Sequence, residues 1–266
     1  MMRPGEVPYF NGWTPTRAGV LVHYSYDNPI SKAIAWAQRD GSEPLALSTH
    51  TGIWLEFSTP EGAQTDLVVE SCFAGTRILT DWRAHYNKGG SWGVVALPLA
   101  GPADSPGFAD LVRSVSFRYV DKRYDFLAIA AQFVDGMIGK VAHSDVYLAR
   151  ALRFGWWHRE ARYNYCTWLA AHTFGWTGWY FHALPPLSLR AKLGCRLLRQ
   201  HYERTPRPVK PPRLNLLTPQ HIEHDVYRYR PRRYRLLYEY GERPERRLLD
   251  CHHRKLTEDN PTRITP

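Results

Sequence analysis

The thirteen residues from 163 to 175, "YNYCTWLAAHTFG", set one cysteine, Cys166, at the start of a run that reads as a helix. Either this is a small buried side chain or it is a nucleophile placed at a helix start. A thiol attacks as its thiolate, and a helix N-terminus with a nearby imidazole lowers its pKa enough to populate that form near neutrality. Such a site needs a histidine as base and an acceptor to orient that histidine.

Upstream, "HTGIWLEF" (50–57) and "TDLVVESCF" (65–73) read as two strands joined by the turn "STPEGAQ". His50 opens the first and Glu70 lies near the end of the second. An antiparallel pairing in a suitable register brings the two together. Plainer readings stand beside this one: Cys166 as core, His50 as a polar strand end, Glu70 as a solvated charge.

Around these elements, "AGVLVHYS" (18–25) reads as a buried strand and "NPISKAIAWAQRD" (28–40) as a helix with Ile30, Ala33, Ile34 and Ala37 on one face. "WGVVALPL" is another strand, "FADLVRSVSFRYV" a helix, and "YDFLAIAAQFVDGMIG" (124–139) is apolar at helical spacing. A strand, a helix, several strands and then helices predict an α+β fold.

The other cysteines stand alone, since Cys72, Cys166, Cys195 and Cys251 contain no C-x-x-C pair. That spacing argues against a zinc ribbon or a dense disulfide framework. Cys72 shares a strand with Glu70 but has no helix start behind it and reads as core, Cys195 as packing and Cys251 as incidental. The histidine clusters "QHIEHD" (220–225) and "DCHHRK" (250–255) could bind metal, although polar surface is the plainer account.

The 266 residues carry a formal charge of +10, and its distribution divides the chain. Residues 186–266 hold 19 Lys and Arg against 9 Asp and Glu, so all of the net charge lies there, together with half of the 20 prolines. This predicts an N-terminal arm (1–16), a neutral globular domain (17–185) and a basic, Pro/Arg-rich extension (186–266). No secretory signal and no membrane span are read from the sequence, so the protein is expected to be soluble. It is then cytoplasmic as synthesised, or assembled into a virion or delivery machine.

"STHTGIWLEF", "LVVES" and "YNYCTWLAAHTFG" together resemble the circularly permuted papain-like group related to NlpC-type cell-wall peptidases, which includes YiiX-like hydrolases and lecithin:retinol acyltransferases. In that group an H-x-G-I/V strand precedes the cysteine helix, and His50-Thr51-Gly52-Ile53 and Tyr165-Cys166-Thr167-Trp168-Leu169 occupy those places. "AGVLVHYS", "ISKAIAWAQR" and "KRYDFLAIA" fit the same layout, and the resemblance covers about residues 17–180. Val20 replaces the usual aspartate after Gly19, and Thr167-Trp168 replaces Ser-Glu, which bears on substrate class more than on the triad.

The resemblance implies a permuted papain-like fold and a thiol hydrolase with a Cys166–His50–Glu70 triad and a thioester intermediate, using no metal or organic cofactor. The backbone N–H of Cys166 would be an oxyanion donor, with Tyr24 or Tyr165 adding a second. The family acts on peptidoglycan peptides or on lipid acyl groups. Without an export signal, a peptidoglycan peptidase would need delivery, as in a phage tail. The basic extension would serve as an arm for protein partners. Its interleaved Arg and Tyr, as in "VYRYRPRRYRLLYEY", also suit nucleic acid, but Glu239, Glu242 and Glu245 interrupt the field and favour the protein arm. The alternative function is an assembly protein that keeps the domain without using it.

Overall fold

The computed structural model describes residues 12–25, 29–38, 48–87, 91–142, 163–183, 206–211, 214 and 217–241. Its elements in chain order are β1 (Thr14–Tyr24), α1 (Pro29–Gln38), β2 (His50–Ser58), β3 (Gln64–Cys72), β4 (Gly75–Leu79), α2 (Trp82–Tyr86), β5 (Trp92–Pro98) and α3 (Phe108–Phe117). There follow β6 (Arg123–Tyr124), α4 (Phe126–Ala142), β7 (Tyr163–Asn164), α5 (Cys166–Trp176), β8 (His182–Ala183), β9 (Arg207–Pro208), α6 (Pro219–His224) and β10 (Tyr234–Gly241). This is an α+β fold, as the order of elements predicts.

Six strands form one antiparallel sheet in the order β10-β5-β1-β2-β3-β4. Both of its faces are covered, which explains why "AGVLVHY" and "TGIWLEF" are almost continuously apolar instead of alternating. On one face Val20, Val22, Ile53, Leu55, Leu67 and Val69 pack against Val112 of α3, Trp168, Leu169 and Phe174 of α5, and Ile222 of α6. On the other, Leu21, Trp54, Val68 and Val95 meet Trp82 and Tyr86 of α2 and Leu237 and Tyr240 of β10. Helix α5 is buried from Cys166 through Ala171, so it lacks a polar stripe.

The described residues beyond 185 pack on this core. β10 pairs along β5 from Tyr234↔Pro98 to Gly241↔Trp92, and Leu214, Leu217, Ile222, Val226 and Tyr234 are buried with the helices on the first face. "YRLLYEY" is thus a strand, but one that completes the central sheet. Within the expected N-terminal arm, residues 1–11 lie outside the described residues and Thr14–Thr16 already belong to β1. Among the described residues no helix is long and apolar enough to cross a membrane.

Candidate active site

Cys166 is the first residue of α5, after an extended Tyr165 (φ −131°, ψ 166°). The approach to the helix is pinned by Asn164. Its Oδ1 accepts from the Thr76 hydroxyl (2.7 Å), and its backbone carbonyl accepts from the Ser71 hydroxyl (3.1 Å) and the Asp125 N–H (2.9 Å). These bonds tie the start of α5 to the adjoining ends of β3 and β4. As the first helical residue, Cys166 keeps a backbone N–H with no intrahelical acceptor, at the positive end of the helix dipole.

His50 opens β2, and the β2–β3 register sets Gly52 opposite Glu70. His50 and Glu70 are therefore diagonal neighbours on one side of the pair, and Nε2 of His50 lies 2.7 Å from a Glu70 carboxylate oxygen. Gly52 allows the two strands their close approach, since a Cβ there would come within 2.8 Å of a Val68 methyl. With Nε2 committed to Glu70, Nδ1 is the ring nitrogen left for Cys166, whose charge acts on His50.

Glu70 is only 2% exposed, and three side chains hydrogen-bond to it. Besides His50, the Tyr86 hydroxyl donates to it and Arg77 donates through Nε (2.8 Å), with Nη2 2.6 Å away. Nε2 of His85 is 4.0 Å off and 3.0 Å from Arg77. Burial pushes the carboxyl up, but the His50, Tyr86 and Arg77 contacts together hold it well below the usual carboxylate range.

The thiol and the imidazole move in opposite directions. Burial pushes the Cys166 thiol up. The positive charge and hydrogen bond of His50, the Thr51 backbone and the Thr167 hydroxyl outweigh burial, and the net shift is downward. Burial also disfavours the His50 cation, yet Cys166 and Glu70 raise its pKa well above the ordinary value. Both shifts favour a thiolate–imidazolium pair held by a buried carboxylate.

A cleft of about 300 Å³ opens beside His50, with Glu70, Arg77, Tyr86 and, from α1, Ile30 and Ile34 also in its wall. Cys166 is 4% exposed and is not among the residues lining the cleft. Cys72, read from sequence as core, is instead half-buried and part of the wall. Burial and the Glu70 charge push its thiol up, opposite to Cys166.

The two tyrosines expected as oxyanion donors are both buried. Tyr24 is fully buried and stacks on Trp92 with centroids 4.0 Å apart. The Tyr165 hydroxyl points at the Leu214 and Leu217 carbonyls (3.3 and 3.4 Å) and accepts from Gln132 (2.9 Å). Neither lines the cleft.

Sequence reasoning passed over Arg77, His85 and Tyr86, which lie in "GTRILTDWRAHY", and His23 in β1. Of the histidine clusters, "QHIEHD" forms α6, where Nδ1 of His221 accepts from the Thr218 backbone N–H (3.0 Å) in a capping box. "DCHHRK", Cys195 and Cys251 lie outside the described residues. Among the described residues no group of three His, Cys, Asp or Glu is arranged to hold a metal ion. No protein-family model, no curated protein and no solved structure matches the chain.

Proposed function

We propose that the protein is a thiol hydrolase in which Cys166 is the nucleophile, His50 the acid–base and Glu70 the orienting carboxylate. The observation that carries this reading is the Glu70–His50 hydrogen bond together with the mutual electrostatic pull of His50 and Cys166, the first residue of a helix. The Cys166 thiolate attacks the carbonyl carbon of an amide or ester, forming a C–S bond and an oxyanion that the Cys166 backbone N–H can receive. Collapse expels the amine or alcohol, which takes its proton from His50, and leaves a thioester. His50 then draws a proton from water, the hydroxide attacks the thioester, and the thiolate departs.

The resemblance to permuted papain-like peptidases supports cell-wall peptides as the substrate class, with a phage tail as one delivery route. The surplus of Lys and Arg after residue 185 supports protein partners there. One observation favours a second reading, a non-catalytic assembly protein: the thiol is 4% exposed and lies off the cleft wall.

Alkylation of the folded protein with iodoacetamide at pH 6.5, mapped by mass spectrometry, separates the two. The hydrolase reading expects fast labelling at Cys166 that is lost in His50→Ala. Slow labelling indifferent to His50 would leave the assembly protein.

A further inference from the structure

Arg77 of β4 stands directly opposite Glu70 in the β3–β4 register. Its Nε donates to Glu70 Oε1 (2.8 Å), and Nη2 lies 2.6 Å from the same oxygen and 3.0 Å from Nε2 of His85. Both contacts with Glu70 fall on one carboxylate oxygen, so the pair is not the parallel two-oxygen fork. Nη1 makes no hydrogen bond to the described residues and is not sealed from solvent. The Arg77 side chain is 30% exposed and lines the cleft.

The charges of the site differ in access. Its two anions, Glu70 and the Cys166 thiolate, are buried, and Glu70 is the one acid in the cleft wall among the described residues. A ligand entering the cleft therefore meets the Arg77 cation more readily than any negative charge. A guanidinium is planar and aims its donors in fixed directions. With Nε and Nη2 turned to Glu70 and His85, the Nη1 edge suits an acceptor oxygen. A carboxylate suits it most, because the bond is then charge-assisted. The Glu70 carboxyl stands between Arg77 and His50, so a group held at Arg77 lies on the order of one to two extended residues from one reacting beside His50.

We propose that Arg77 is a specificity-determining residue whose Nη1 binds a carboxylate of a peptide-like substrate lying in the cleft. This rests on the thiol-hydrolase reading and narrows it to acidic substrates over uncharged ones. Arg77 thus serves twice, holding Glu70 by one edge and selecting the substrate by the other.

The test uses two reagents on the full chain: the iodoacetamide of γ-aminobutyric acid and that of its primary amide. They share length and reactive end and differ in the charge of the far end. Both lose iodide to the Cys166 thiolate, so the ratio of their rates cancels the thiolate fraction and reads charge preference alone. Normalised to N-acetylcysteine amide, the parent ratio should favour the acid. In Arg77→Gln it should fall about tenfold, the effect of one hydrogen bond to a charged group. Arg77→Lys, which keeps the charge, should recover most of it. Loosening of Glu70 alone would slow both reagents alike and leave the ratio where it was. A parent without preference for the acid, or a ratio unchanged in Arg77→Gln, would overturn the assignment while fast labelling of Cys166 upheld the hydrolase. If Cys166 of the parent reacts slowly with both reagents, the hydrolase reading fails and takes the assignment with it, and that is seen before any variant is made.

Discussion

Glu70 grips Nε2 of His50 at 2.7 Å from a neighbouring strand, and the same carboxylate is held by Arg77 and Tyr86. The orientation of the imidazole is therefore set by a side chain that is itself immobile. Glu70→Gln keeps the shape but removes the charge that helps to raise the His50 pKa, so the imidazolium should deprotonate at lower pH than in the parent. Titration of His50 followed by NMR should show this downward move, and Cys166 alkylation near pH 6.5 should slow. An unmoved His50 titration would contradict the role given to Glu70.

Without His50, burial acts on the Cys166 thiol with little to oppose it. In His50→Ala the alkylation profile should shift to higher pH, and at pH 6.5 the thiolate fraction and the labelling rate should both fall. Cys72→Ser should leave the Cys166 rate unchanged, because that thiol is itself pushed up by burial and by Glu70.

Gly52→Val should disturb the site more than the fold around it. A Cβ at this position would press on a Val68 methyl at 2.8 Å, between His50 and Trp54 on the strand and opposite Glu70. Overpacking of this kind costs about 1–3 kcal/mol. The variant should melt earlier in thermal denaturation and label more slowly at Cys166. Parent-like values for both would show that β2 and β3 can separate to make room.

Acid should weaken the fold. His23, His172 and His221 are kept neutral by burial, with values near about 3, 4 and 4. Below the ordinary histidine value of about 6.5 the unfolded chain takes up protons that these residues refuse in the fold, so stability falls as pH drops from about 6.5 toward 4. Glu70, depressed in the fold, adds to the loss once pH passes below about 4.3. Near neutrality the Cys166–His50 pair holds one proton folded or unfolded and contributes little to the slope. Melting temperatures measured between pH 7 and 4 should decline with acid, and less steeply in His23→Phe; a flat profile would contradict these shifts.

What could be read from the sequence was local. The turn "STPEGAQ" marks a hairpin, so two strands followed from one stretch, while the register that carries His50 and Glu70 to each other came only with the structure. Cys166 at a helix start was equally legible, because an apolar helical run begins there. Tyr86 and Arg77 were not legible as site residues. One stands on a five-residue helix and the other on a five-residue strand, both too short for a periodic signal, and they reach Glu70 only through tertiary packing. His23 looked like one more strand residue because its place beside His50 comes from the pairing of β1 with β2. Charge and proline counts suggested an extension after residue 185, but composition does not report which strand a sheet edge will accept.

That edge supplies a further prediction. A fragment ending at residue 185 lacks β10, α6 and the buried Leu214, Leu217, Ile222, Val226 and Tyr234. Each lost large aliphatic contact in a core costs about 2–5 kcal/mol, which together exceeds the stability of an ordinary domain. The fragment should show no cooperative thermal transition and no preferential alkylation of Cys166. A sharp transition would establish residues 17–185 as an independent domain.

The position of β10 also orders events during synthesis. Everything that forms the thiol site, from His23 to Cys166, leaves the ribosome before residues 234–241, and until these arrive β5 presents a bare strand edge and Leu21, Trp54 and Val95 lack part of their cover. The nascent chain thus carries Cys166 in an unfinished sheet, whose edge is closed only when its last strand has been translated.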